Sequence, residues 1–197
     1  YILNKDLGYN PKRVVVANAS FGEEEKGNYV LNVFRNMPYV ESVSSATYHP
    51  VYGYSGTIIN DESGQSLFSS RYCSDDYPKM MGMVLKEGRM PRGDDETVVN
   101  ETFAEWMHWG NNILNRTVYN SGYVCKVVGV MKDYRIGSFT SPQQPLLLMH
   151  TKRFGDCIHV RLKEPFAENL LKLNKEMESA FPDKTIEFRS MQQMIKE

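Results

Sequence analysis

Val127-Val128-Gly129-Val130-Met131-Lys132-Asp133-Tyr134, followed after a short loop by Gln144-Pro145-Leu146-Leu147-Leu148-Met149, carries the strongest structural signal in the chain. Its first half reads as a strand. Apolar side chains occupy successive positions, so both faces are apolar, as in a strand covered on both sides. Gly129, lacking a side chain in the middle of the run, predicts close approach by a neighbour. Asp133 ends the run, and Gly137, Ser138 and Pro142 make the loop. Immediately upstream, residues 116–119 and 123–131 are expected to pair as a hairpin across Asn120-Ser121-Gly122. Thr97-Val98-Val99 is a further strand, leading into a helix from about Glu101 to Trp109 with Gly110 as its stop.

Farther from this centre the pattern loosens and then repeats. Residues 67–73 alternate as one strand. Asp75 is placed to cap a short helix containing Tyr77 and Met80, ended by Gly82. Leu85, Gly88 and Arg89 run into the turn cluster Pro91-Arg92-Gly93-Asp94-Asp95. Towards both ends, strand, helix, proline and strand occur twice. Arg13-Val14-Val15-Val16-Ala17-Asn18-Ala19 precedes a helix with Val30, Val33, Phe34 and Met37 on one face, stopped by Pro38 and followed by Val40 to Thr47. Residues 156–162 precede a helix begun at Pro165, with Phe166, Leu170, Leu173 and Met177 on one face. Pro182 stops it and residues 185–188 make the last strand. The offset from Pro38 to Pro182 carries Arg13 to Cys157 and Val14 to Ile158, strand onto strand. Two such units on one sheet make a split βαβ, ferredoxin-like arrangement.

The fold class expected is therefore α+β. A ferredoxin-like lobe of residues 13–47 and 156–189 carries a second, strand-rich lobe of residues 48–155 inserted between its halves. Residues 1–12 form a leading stub. Ser190-Met191-Gln192-Gln193 opens a capping box, so residues 190–197 begin another helix.

The 197 residues suffice for one good core or two small lobes. A net charge of −1 argues against nucleic acid or an anionic membrane surface as partner. The chain starts abruptly at Tyr1 without a Met, which suggests excision from something longer, and no apolar run approaches the ~18 residues that span a bilayer. Cys73, Cys125 and Cys157 form no CxxC pair. A Cys73–Cys125 bridge and three buried thiols are both open, with the thiols preferred.

No catalytic or cofactor-binding constellation emerges, and no cofactor or metal is expected. There is no phosphate-binding glycine loop, no HExxH and no SxxK. Gly53-Tyr54-Ser55-Gly56 resembles a nucleophile elbow, but Thr57 stands where the last glycine belongs. His49, His108, His150 and His159 are scattered without ligand spacing, and His159 is expected at or near the surface. Candidate partner-binding residues are aromatic: Trp106 or Trp109 in the cluster Trp106-Met107-His108-Trp109, and the loop tyrosines Tyr48, Tyr52 and Tyr54.

Val98-Val99-Asn100-Glu101, an aromatic-rich helix ending in Trp109-Gly110, Arg116-Thr117-Val118, the stretch from Val127 to Tyr134, then Ser138 and Pro145-Leu146 resemble, in that order, the MacB-like periplasmic core domain of ABC transporter permeases. Asn4-Lys5-Asp6-Leu7-Gly8-Tyr9-Asn10 resembles the segment that follows the first membrane helix in this family, and Pro38-Tyr39-Val40-Glu41-Ser42-Val43 resembles another family stretch. Asn115-Arg116 stands where the family usually has glycine and lysine. The resemblance covers essentially the whole chain and implies a two-lobed periplasmic domain of an inner-membrane permease. It implies as partners a second permease copy, a cytoplasmic ATPase subunit, and a periplasmic adaptor or substrate protein. It further implies that ATP-driven closure is transmitted to this domain. The terminal stubs, residues 1–7 and 191–197, would be the links, emerging side by side. Drug or peptide efflux, lipoprotein release and control of a cell-wall hydrolase are equally compatible. A free-standing secreted binding module is the alternative.

Overall fold

The computed structural model describes the chain apart from residues 1–5, 22–23, 52–55, 69–70, 74–75, 121, 138–139 and 151–154. In chain order the strands are β1 (Val14–Asn18), β2 (Val40–Ala46), β3 (Ile58–Asp61), β4 (Ser66–Phe68), β5 (Arg71–Cys73), β6 (Leu85–Gly88), β7 (Glu96–Asn100), β8 (Thr117–Asn120), β9 (Tyr123–Met131), β10 (Leu147–His150), β11 (Cys157–Leu162) and β12 (Arg189–Ser190). The helices are α1 (Glu24–Arg35), α2 (Tyr77–Met80), α3 (Glu101–Trp106), α4 (Phe166–Ala180) and α5 (Met191–Lys196).

Strands β12, β1, β11 and β2 lie side by side in that order, all antiparallel. This is the split βαβ sheet, with the two repeats interleaved. Helices α1 and α4 cover one face. Val15, Ala17, Ile158, Val160 and Leu162 point to that side and join Phe34, Leu173 and Met177 in one core cluster. The opposite face is buried as well. Val14, Val16, Ala46 and Cys157 join a second cluster with α2, the end of β9, Leu146 and Leu148. Alternation along β1 thus feeds two cores, one on each side of the pleat.

The last strand is shorter than expected. Residues 185–188 form no ladder because a side chain intercepts it. Asn174 on α4 accepts the Phe188 N–H at 2.7 Å and donates to the Phe188 carbonyl at 3.2 Å. Pairing with β1 therefore begins only at Arg189. The capping expectation for α5 is met, with Ser190 Oγ accepting the Gln193 N–H at 3.3 Å.

The inserted strands continue the sheet in the order β5-β10-β7-β9-β8-β3-β4, with β6 also on β9. Residues 67–73 are two strands rather than one. β4 pairs with β3, whereas β5 pairs in parallel with β10 and, among the described residues, meets β2 at the one pair Ala46–Cys73. The described sheet is thus continuous across the two lobes through one bridge, while an apolar cluster spans the same junction. The Val127 stretch is a strand with both faces buried, held by parallel β7 on one side and by β8 and then β6 on the other. Gly129 pairs with Gly88, and a Cβ at Gly129 would stand 2.5 Å from the Arg89 carbonyl oxygen. The close approach expected there comes from β6, a strand hidden in sequence among turn residues.

The Cys73–Cys125 bridge is not formed. Cys125 is a free, buried thiol on β9. Strands β10 and β7 separate β5 from β9, so the two Cα atoms lie about 14 Å apart at ordinary strand spacing, about twice the reach of a disulfide. Cys157 is likewise a free buried thiol, and burial pushes it up to about 12.

Candidate functional site

The two tryptophans of the α3 cluster have opposite fates, and the helix end decides which is which. Asn100 caps α3 by accepting the Phe103 N–H at 2.9 Å, and its side chain also accepts from Leu146 and donates to the Gln144 carbonyl. Asp133, at the end of the central stretch, accepts from the Thr102 N–H and hydroxyl at 3.0 and 2.7 Å, a carboxylate at the positive end of the helix. The helix stops at Trp106, three residues earlier than expected, because His108 takes a left-handed conformation with φ of 56°. The His108 N–H then donates to the Glu105 carbonyl at 3.0 Å and the Trp109 N–H to the Ala104 carbonyl at 3.1 Å, a Schellman stop with histidine in the usual glycine position.

This reversal folds Trp109 under the helix. Its ring is 3% exposed, lies 5.5 Å from Phe103, and carries the Arg116 guanidinium 5.2 Å from its centroid. Its Nε1–H donates to Asp61 Oδ2 at 2.9 Å. Asp61 also accepts from the Ser63 N–H and hydroxyl and from the Gln65 N–H. Burial works against its charge, but the donors from Ser63, Trp109 and Gln65 outweigh it and hold the carboxyl below its usual range. Trp109 is therefore a core residue, which corrects its candidacy as a partner contact. Trp106, on the outward side of the last turn, is 58% exposed.

Beside α3 lies an open groove of about 720 Å³ whose lining includes Lys86, Glu87, Glu101, Glu105 and His108. Lys86 Nζ donates to Glu101 Oε2 at 2.8 Å, so one of the three carboxylates is engaged. Among the described residues no three His, Cys, Asp or Glu side chains converge as a metal site.

Tyr48 is half-buried. Tyr52, Tyr54 and the elbow-like Ser55 lie outside the described residues. Sequence reasoning missed a second exposed surface, on the β3–β8–β9 portion of the sheet. Ile58, Tyr119 and Val124 share the face opposite buried Ile59, Val118 and Cys125, and Tyr119 stands directly across from Val124. Tyr123, at the hairpin tip, is 73% exposed. The alternation of the hairpin holds this signal, because Tyr119 and Val124 fall in the polar phase of their strands.

His159 is another departure. Expected half-buried or at the surface, it has no exposure and lies on the sheet face away from α1 and α4. Its ring sits 4.7 Å from Tyr77, edge-on, with the Tyr77 hydroxyl 3.3 Å from Nε2. Burial, with the charge of His49 beside it, lowers the imidazole to about 3, so it is neutral at ordinary pH.

A split βαβ sheet with a strand-rich insertion, displaying aromatic side chains on the insertion, defines an α+β domain of two lobes. The chain belongs to the MacB-like periplasmic core domain family, whose profile matches residues 9–176. It is a periplasmic core domain of the kind carried by MacB-like ABC transporter permeases. The periplasmic region of MacB from Actinobacillus actinomycetemcomitans superposes with a TM-score of 0.70 at 16% identity, covering 99% of this chain and 97% of the other. A domain of a putative permease protein from Porphyromonas gingivalis gives 0.64 at 17% identity, covering 92% and 91%. The extracellular domain of the noncanonic ABC-type transporter YknZ from Gram-positive bacteria gives 0.65 at 11% identity, covering 89% and 99%. Comparison with curated protein sequences gives no match. Among the described residues no helix is long and apolar enough to cross a membrane.

Proposed function

We propose that this domain is the force-transmitting periplasmic part of an inner-membrane ABC transporter permease. It works beside a second permease copy and answers to a cytoplasmic ATPase subunit, while the domain itself performs no catalysis. Residues 13–47 and 156–189 act as the lobe joined to the membrane, and residues 48–155 as the lobe that meets an adaptor or substrate protein. Trp106 and the tyrosines Tyr48, Tyr52 and Tyr54 are assigned to that contact.

The observation that carries this reading is the shared anchorage of the two chain ends. Leu7 lies in the same buried cluster as Met191 and Met194 of α5. A pull on either flanking segment therefore enters the same core, the arrangement a lever needs. The test uses the full-length permease with its ATPase, spin-labelled at Tyr123→Cys in both copies. The label-to-label distance is expected to change between nucleotide-free and ATP-bound states. An identical distance distribution through the nucleotide cycle overturns the proposal.

A further inference from the structure

The sheet face away from α1 and α4 carries polar side chains where an isolated split βαβ lobe would meet water. His159 and Arg161 alternate along β11 on that face, and Ser44 stands directly across from His159 on β2. All three are buried, and α2 and the segment before β1 belong to what covers them. Buried polar groups survive only when their hydrogen bonds are made, and here the partners come from those covering segments.

Arg161 is the centre of this arrangement. Its guanidinium donates to the Lys12 carbonyl, to the Asn10 carbonyl at 3.0 Å and to the Met80 carbonyl at 2.9 Å. One side chain of the first lobe therefore gathers the lead-in to β1 and the end of α2, which belongs to the insertion. Both segments also hold each other, since the Asn10 N–H donates to the Met81 carbonyl at 2.7 Å. Along α2, Tyr77 meets His159, and Asp76 accepts from the Ser44 hydroxyl at 2.8 Å and meets Arg35 of α1 at 3.5 Å. Glu41 lies 3.9 Å from Arg161 Nε.

We infer that α2 is a latch: a four-residue helix of the insertion, pinned by Arg161, the His159–Tyr77 pair and Ser44 to the first lobe, which makes the two lobes one mechanical body. Among the described residues the backbone ladder supplies little of this, because β2 and β5 pair there at Ala46–Cys73 alone. The apolar cluster also spans this junction, and the latch adds directional polar contacts that fix the two lobes against each other. The inference concerns the fold and stands apart from the transport role. If that role holds, motion at α5 reaches the hairpin tip without being absorbed at the junction.

Hydrogen–deuterium exchange on this chain tests the latch. In Arg161→Met, the amides of Asn10, Met80, Met81 and Gly82 are expected to lose about tenfold or more of their protection, because buried charged donors are removed from their surroundings. Amides of Val15 and Val160 in the first lobe and of Val99 in the insertion are expected to keep theirs. A uniform rise across all these sites, or none near α2, overturns the latch. Should Arg161→Met fail to fold, the milder Ser44→Ala/Tyr77→Phe pair decides. It is expected to raise exchange several-fold at Met80, Met81 and Gly82 only, and an unchanged or uniform profile overturns the inference. These readouts need no transporter, so failure here is distinct from failure of the label-distance experiment.

Discussion

Two strands of the molecule show what separates its lobes. β11 is buried along its whole length, with the helix core on one face and the latch on the other. The start of β9 alternates, Tyr123, Val124 and Lys126 exposed against Cys125 and Val127 buried. From Val127 to Met131 the same strand is buried throughout. Burial on both faces marks the part of the sheet that lies between layers, and alternation marks the part that shows a face to water. The first lobe is built to be held, and the outer insertion to be seen. Substitutions separate these roles by the size of their effect.

The largest effect belongs to the doubly covered lobe. Leu173 has no exposure and sits among Phe34, Phe188 and Met177. Leu173→Asp puts a carboxylate into that core without a partner, a cost of several kcal/mol. Cooperative thermal unfolding by circular dichroism is expected to vanish. A melt at the wild-type temperature would remove α4 from the core and dissolve the contrast between the lobes.

Acid comes next. His159 is neutral in the folded state, lowered to about 3, whereas the unfolded chain carries an ordinary histidine near 6.5. Between these values the unfolded state binds the extra proton, so stability is complete above 6.5 and is lost as pH falls towards 3. The slope is at most about 1.4 kcal/mol per pH unit from this group. Asp61, held below its usual range, loses its contribution in the same direction as its carboxylate protonates. Denaturant titrations at pH 7, 5.5 and 4 read the sum, and His159→Gln isolates the histidine. The variant is expected to flatten the dependence between pH 6.5 and 4. An unchanged slope would mean that His159 reaches solvent.

How legible these features are follows the same division. The two βαβ units are visible because helical apolar faces and prolines punctuate them, and their interleaving follows from the repeat. Gly129 announces a close neighbour but not its identity, since Leu85-Lys86-Glu87-Gly88 has no strand signature and is held by a partner distant in sequence. His159 reads as half-buried or exposed, because a polar residue alternating along a strand ordinarily faces water. Only the tertiary position of α2 turns that face inward. The stop at Trp106 is equally hidden, because a left-handed His108 replaces the glycine that sequence reasoning looks for.

The smallest effect lies in the tryptophan pair, three residues apart and opposite in environment. Trp109→Phe keeps the aromatic packing and removes the shorter of the two donors to Asp61 Oδ2, leaving it only the Gln65 amide at 3.3 Å. Such a loss costs about 1–3 kcal/mol, and for a chain of this size each kcal/mol lowers the melting temperature by about 2–4 °C. Trp106→Phe touches an exposed side chain, so stability is expected to stay within about 0.5 kcal/mol. Fluorescence separates the two without any partner protein. Wild type is expected to show a blue-shifted emission inaccessible to acrylamide and a red-shifted emission that acrylamide quenches. Trp106→Phe keeps the first and Trp109→Phe the second. If the two variants quench alike, α3 does not end at Trp106, and the contrast between a structural and a displayed tryptophan fails with it.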